Sequence, residues 1–188
     1  MIIASTIAYS GAILLVAGAI VASILAERLR LPALALFALL PIGVGLIGVV
    51  FGIRMAPPHP AFLGVLALEI AALGVIAGSP LTVFVLRLAT RKPDVLGEHG
   101  GILVEAKDGH GEAREVLRGG TTIGYLERFA IVGAIAVGHV EVIAAVIAIK
   151  GLGRYSELDS AAARERFIIG TLVSMIWASL CAALIVAG

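Results

Sequence analysis

The sequence predicts an all-α membrane protein of four to five transmembrane helices with a small cytoplasmic loop subdomain. Three observations predict it. Of 188 residues, 60% are hydrophobic and only 14% charged, with a mean hydropathy of +1.09, which lies outside the range of soluble domains. The apolar residues fall into five runs, 2–26, 31–53, 61–86, 129–149 and 167–187. Each is long enough to cross roughly 30 Å of hydrocarbon, which takes about 20 helical residues at ~1.5 Å apiece. One polar, glycine-rich stretch, 93–122, separates the first three runs from the last two. The chain therefore divides into an N-terminal three-helix membrane region (1–92), a polar cytoplasmic loop (93–122) and a C-terminal membrane region (123–188).

In the first run, Met1-Ile2-Ile3 offers no basic n-region, and the apolar stretch is too long for a signal-peptide core. It reads as a retained transmembrane helix. Ala4, Ala8, Gly11, Gly18, Ala22 and Ala26 line one face of it, the kind of small-residue stripe that lets helix backbones approach. The link Glu27-Arg28-Leu29-Arg30 is short enough to force an antiparallel hairpin with the second run. Pro32 sits where a helix start tolerates it, whereas Pro41 should kink or break the second helix. That run also carries the small-residue pair Gly48 and Gly52.

The connection 54–60 is proline-rich and reads as extended. The third run contains Glu69, a second pair at Gly74 and Gly78, and Gly78-Ser79-Pro80 in its interior. It ends on Arg87, Arg91 and Lys92, a basic cluster that favours the cytoplasmic interface.

In the polar loop, 101–106 and 112–118 flank Lys107-Asp108-Gly109-His110-Gly111, and Asp-Gly is a hairpin signal. A small β-hairpin is expected there, with a helical turn over 112–118 as the alternative. His99 and His110 lie near Asp94, Glu98 and Asp108, but the spacing matches no defined coordination geometry, so no metal site is predicted. Gly119-Gly120-Thr121-Thr122 has the flavour of a phosphate loop without its lysine or full glycine spacing. The sequence holds no Ser/His/Asp arrangement, paired-histidine motif or nucleotide fingerprint, so neither catalysis nor a cofactor is predicted. A net charge of +1 leaves no clustered basic surface for nucleic acid. Cys181, the single cysteine, rules out an intrachain disulfide and reads as a buried, inert thiol.

The stretch 126–149, which contains the fourth run, carries Glu127, Arg128, His139 and Glu141 at or inside its ends. A charge at mid-membrane costs roughly 2.5–3.5 kcal/mol on insertion scales, so such groups face protein, a cavity or a partner. Ala130, Ala134, Gly138, Ala145 and Ala148 share a face with Glu127 and Glu141. On a regular helix His139 and Glu141 point about 200° apart and cannot share a ligand. Glu69 needs a cationic or hydrogen-bonding partner, and Arg128 and His139 are the intramembrane candidates. The last connection, 150–166, is amphipathic and should lie near the membrane surface.

Two arrangements compete for this run. Basic residues number two, one, seven and four in the four successive connections. Five simple crossings set nine against five, with the N-terminus outside and the polar loop in the cytoplasm. If residues 129–149 instead enter and leave on one face, turning near Gly138-His139, the ratio becomes 13 to one. Five crossings are the expectation and the re-entrant path the alternative.

The C-terminal third resembles a domain-of-unknown-function family of small bacterial inner-membrane proteins. The likeness rests on Gly124-Tyr125-Leu126-Glu127-Arg128, then Gly138 and Ile143, then Ala148-Ile149-Lys150 with Arg154-Tyr155, and finally Glu165 with Ile169-Gly170-Thr171-Leu172-Val173-Ser174. The chain departs from the family pattern at Gly151, where the family has Ser, and at Arg166, where it has Tyr. The resemblance implies that Glu127, Arg128, Lys150, Arg154 and Glu165 form one charged cluster near a single membrane face.

Functional expectation follows from these charges. Glu69, Glu127, Arg128, His139, Glu141, Lys150, Arg154 and Glu165 are the candidate functional or interaction residues. The first reading is a non-catalytic multi-pass component of the inner (plasma) membrane, or an accessory subunit. Its partners would be the bilayer and a second copy or another membrane protein. The alternative is a small ion- or proton-coupled transporter or channel using Glu69, His139 and Glu141.

Overall fold

The computed structural model describes residues 2–53, 56–89, 102–104, 114–116, 120–155, 158 and 160–188. Helix α1, Ile2–Arg28, turns Ser5, Val16, Ala19, Ser23 and Ala26 inward. Ser23 Oγ donates back to the Ala19 carbonyl at 2.8 Å, so this buried hydroxyl is satisfied within its own helix. The helix closes through Arg30 at φ 56°, with the Leu31 N–H returning to the Ala26 carbonyl at 3.0 Å. Glycine usually takes that left-handed position; an arginine there costs about 1–2 kcal/mol. The reversal leads into a 3₁₀ helix, Pro32–Ala38, continued by α2, Leu39–Val50. Pro41 falls in the first turn of α2, where its missing N–H is not needed. The irregularity expected at Pro41 is instead the 3₁₀ geometry just before it.

Helix α3, Pro60–Ile76, starts on His59, whose Nδ1 accepts from the Ala61 N–H at 3.1 Å. Helix α4, Gly78–Ala89, continues it after a bend of 41°. Pro80 has no N–H for the carbonyl four residues earlier, and its ring pushes that turn aside. Two three-residue strands, β1 Ile102–Val104 and β2 Arg114–Val116, pair antiparallel with Ile102 opposite Val116. The turn 107–111 that the hairpin expectation rests on lies outside the described residues, as do Asp94, Glu98, His99, Asp108 and His110.

The run 129–149 is not one helix. Helix α5, Gly120–Ala136, ends at Gly138 with φ +81°, and the His139 N–H returns to the Ala134 carbonyl at 2.7 Å. That six-to-one closure with glycine in the left-handed position terminates a helix. After a turn, α6 runs Val142–Arg154. Lys150 Nζ donates to Glu127 Oε2, although a straight helix would hold these residues about 35 Å apart. The two helices therefore fold back on each other, which corrects the expectation of a single continuous span here. Helix α7, Ala161–Ala187, begins at Ser160, whose Oγ accepts from the Ala163 N–H at 3.0 Å.

Among the described residues, three helices are long and apolar enough to cross a membrane: Ile2–Arg28, Pro32–Val50 and Ala163–Ala187. Counting the bent pair α3–α4 as one span makes up to four. Leu14, Val50, Leu68, Leu88, Phe129 and Leu172 lie exposed on the outer surface, so these helices fit a membrane protein rather than one facing water. Helix α7 packs against α2, α3, α4 and α5. Its Trp177 donates from Nε1 to the Leu73 carbonyl at 3.3 Å, and Cys181 lies fully buried beside it in the core.

Small residues set the helix spacing selectively. A Cβ at Gly74 would stand 3.0 Å from Cys181 Cβ and 3.3 Å from Val132 Cγ2, whereas Gly48 and Gly64 have open space. Gly52 lies beyond α2 at φ +66°, so the Gly48/Gly52 pair makes no such contact. Gly74→Val should therefore destabilise the bundle by about 1–3 kcal/mol, read as a lower melting temperature in detergent. Gly64→Ala should leave the melting temperature unchanged or slightly raised.

Candidate functional site

Arg128 is 2% exposed, near the centre of the bundle, and its guanidinium fills the bend between α3 and α4. Nε donates to the Val75 carbonyl at 2.7 Å, Nη2 to Ser79 Oγ at 2.8 Å and Nη1 to Ser174 Oγ at 3.0 Å. One side chain on α5 thus binds both arms of the bent helix and α7. All three acceptors are neutral, so the contacts satisfy the donors without neutralising the charge. Room for the side chain comes from glycine. A Cβ at Gly78 would come within 2.6 Å of Arg128 Nε and closer still to its Cδ, and one at Gly124 would lie 3.0 Å from Nη1.

The network extends outward from there. The Arg128 guanidinium lies 5.1 Å from the Tyr125 ring centroid, within cation–π range. Tyr125 Oη donates to Glu27 Oε2 at 2.6 Å, which ties the end of α1 to the start of α5. Glu127, one residue from Arg128, turns the other way and accepts from Lys150. The buried carboxylate and the half-buried ammonium close the base of the α5–α6 hairpin.

Between α4, α5, α6 and α7 lies a cavity of about 570 Å³. Glu127, Arg128, Lys150 and Arg154 all line it. Arg166 lines it as well, together with the hydroxyl-bearing Ser79, Thr82, Thr121, Thr171 and Ser174. The Oγ1 atoms of Thr82 and Thr171 and Oε1 of Glu127 are shielded from solvent without a hydrogen-bond partner among the described residues. Buried polar atoms are normally paired, so these three mark where a ligand or water would be bound.

The remaining sequence candidates lie elsewhere. Glu165 is exposed on the first turns of α7 and does not line the cavity. The adjacent Arg166, about 100° around the helix, does. Glu69 is half-buried on α3, with Oε2 shielded and unpartnered among the described residues. Arg128 and His139, the two partners expected for it, are engaged with other groups. His139 and Glu141 sit exposed in the α5–α6 turn, where His139 Nδ1 donates to Glu141 Oε1 at 2.8 Å. The expectation that they diverge assumed a regular helix; the Gly138 turn removes it.

Sequence reasoning did not single out Ser79, Thr82, Thr171, Ser174 or Arg166 as site residues. Ser79 carried a signal, because Gly78-Ser79-Pro80 in an apolar run marks a break whose freed backbone needs a donor. No family model matches the chain. Neither a curated protein nor a solved structure is similar to it.

The packing of Arg128 against Gly78 yields a double-mutant test. Gly78→Ala alone should cost about 1–3 kcal/mol, because the new Cβ overlaps the guanidinium stem. Added to Arg128→Ala, the same change should cost less than about 0.5 kcal/mol, since the clash has gone. Detergent melting curves of the four proteins measure this, and additive losses would contradict the placement of Arg128.

Proposed function

We propose that the chain is a non-catalytic multi-pass inner-membrane protein in which a re-entrant hairpin and a broken helix enclose a ligand-binding cavity facing the cytoplasm. The Lys150–Glu127 contact carries this reading, because it brings both ends of the hairpin to one side of the bundle. Four crossings with the α5–α6 hairpin re-entering leave 13 basic residues on one side and one on the other, the asymmetry expected of cytoplasmic loops. The Tyr125–Glu27 bond supports the same orientation, since it joins the end of the first crossing to the start of the hairpin. The non-helical turn at 137–141 is then the backbone that protein or water must shield inside the bilayer.

In this role the protein acts by holding a ligand, and it works as a component or accessory subunit beside a second copy or another membrane protein. Helix α6 offers the surface for such a partner. It packs on α5, and Ile147 and Leu152 stand exposed on it, followed by the exposed Tyr155 at its end. The resemblance of the C-terminal third to small bacterial inner-membrane proteins agrees with this reading and is proposed with it.

A transporter is the second reading. What favours it is a bent helix bordering a mainly apolar cavity that also holds charged side chains, since transporters build substrate sites beside broken helices. The set Glu69, His139 and Glu141 does not favour it, because none of these residues lines the cavity.

Single cysteines at Arg30, His59 and Tyr155, in a Cys181→Ala background, test the topology. Membrane-impermeant maleimide should reach Arg30→Cys and Tyr155→Cys only from the cytoplasmic side, and His59→Cys only from the opposite side. Labelling of the Arg30 and Tyr155 sites from opposite sides would sink the re-entrant arrangement.

A further inference from the structure

We infer that the cavity between α4, α5, α6 and α7 holds an acyl chain of a phospholipid from the cytoplasmic leaflet, without selecting its headgroup by charge. The inference rests on the re-entrant reading, which puts this space inside the cytoplasmic half of the bilayer. Most of the lining surface is apolar, with Val83, Leu86, Val146 and Phe167 among its walls. The basic groups that reach it are already engaged. Arg128 donates to Val75, Ser79 and Ser174, and Lys150 meets Glu127. Arg154 and Arg166 each have a partner of their own. What dominates the rest of the lining is hydrocarbon.

Shape and access narrow the class. The lining runs from Arg166 to Ser174 on α7 and from Val146 to Arg154 on α6, about 12 Å along each wall. Arg154 and Arg166 stand at the end nearer the α6–α7 connection, Val146 and Ser174 at the deeper end. Between these walls the bundle is not closed, because α6 packs on α5 and stands away from α7. Ile149 and Gly153, which line the cavity from α6, are exposed on the outside of the protein. The slot thus opens sideways, where lipid chains stand in a bilayer. Apolar space holds water poorly, and a gap leaves its lining atoms without van der Waals partners. A chain entering from the side supplies those partners while its headgroup stays at the interface beside Arg154 and Arg166. The volume of about 570 Å³ lies within the roughly 300–1,000 Å³ of organic-ligand sites, and two long parallel walls suit a flexible chain better than a compact molecule.

The experiment uses the full chain in nanodiscs of phosphatidylcholine that carries a photoreactive diazirine within one acyl chain. After irradiation, tandem mass spectrometry locates the adducts, and yields are normalised to those on Leu172, which lies exposed on α7 outside the lining. Adducts are expected on Val83 and Phe167. Val146→Phe should cut them by about fivefold or more, because the larger ring overfills the slot. Ile147→Phe, next along α6 but outside the lining, should leave them unchanged. Melting curves in detergent report that each variant is folded. Gly153→Leu repeats the blockade at a position where a Cβ meets open space, and Gly151→Leu, equally open but outside the lining, is its control. Phosphatidylglycerol carrying the same diazirine should give yields within about twofold of phosphatidylcholine. No adducts on Val83 and Phe167, equal effects of blocking and control variants, or labelling by phosphatidylglycerol alone would overturn the inference. The cysteine topology is measured separately, so an unlabelled cavity with intact topology removes the lipid chain and leaves the re-entrant reading standing.

Discussion

A guanidinium buried among apolar helices must find acceptors for its donors, and the acceptors available there are backbone carbonyls and hydroxyls. Arg128 finds the Val75 carbonyl because α3 breaks after Ile76, and it finds Ser79 and Ser174 because both stand on the faces turned towards that break. The dependence runs both ways. Without the break, Arg128 would lack its carbonyl. Without Arg128, the bend imposed by Pro80 would leave backbone oxygen facing apolar side chains. Gly78 and Gly124 permit the approach, since neither adds a Cβ where the guanidinium and its stem lie.

The hairpin follows from the same anchor. With Arg128 fixed against α4 and α7, the preceding residue, Glu127, is turned towards α6, and Lys150 returns to meet it. Helix α6 is thereby held on α5 at its base and stands away from α7, and the space left between becomes the cavity. Ser, Thr, Arg and Lys side chains reach into that space among apolar ones such as Val83, Leu86, Val146 and Phe167, and its surface is mainly apolar. Arg128 and Glu127 follow one constraint, that a charge kept from lipid turns inward, whereas the exposed His139–Glu141 pair at the hairpin turn is matched only within itself.

Much of the helical pattern was legible in the sequence, because long apolar runs and a tight polar link leave few alternatives. Gly138 could be marked as a turn because glycine in an apolar run invites a left-handed residue. What could not be read was pairing. Glu69 was matched to Arg128 or His139 by elimination, yet Arg128 goes to the Val75 carbonyl at the bend before Pro80 and to the hydroxyls of Ser79 and Ser174. His139 and Glu141 were placed on opposite faces by assuming a continuous helix, and a single turn brought them together. Glu165 and Arg166 differ by one residue, and only the rotation of α7 decides which of them lines the cavity. Hydroxyls such as Thr82, Thr171 and Ser174 leave no periodic trace in an apolar helix, so their convergence appears only in three dimensions.

The central claim is that residues 120–154 fold back on themselves. Electron spin-label distances between Leu126 and Ile149, both exposed, test it most directly in the intact chain. The fold-back predicts a distance distribution well short of the roughly 35 Å that 23 residues of straight helix would give. A single population at or beyond that length would contradict it, and with it the closure of the cavity by Lys150 and Glu127.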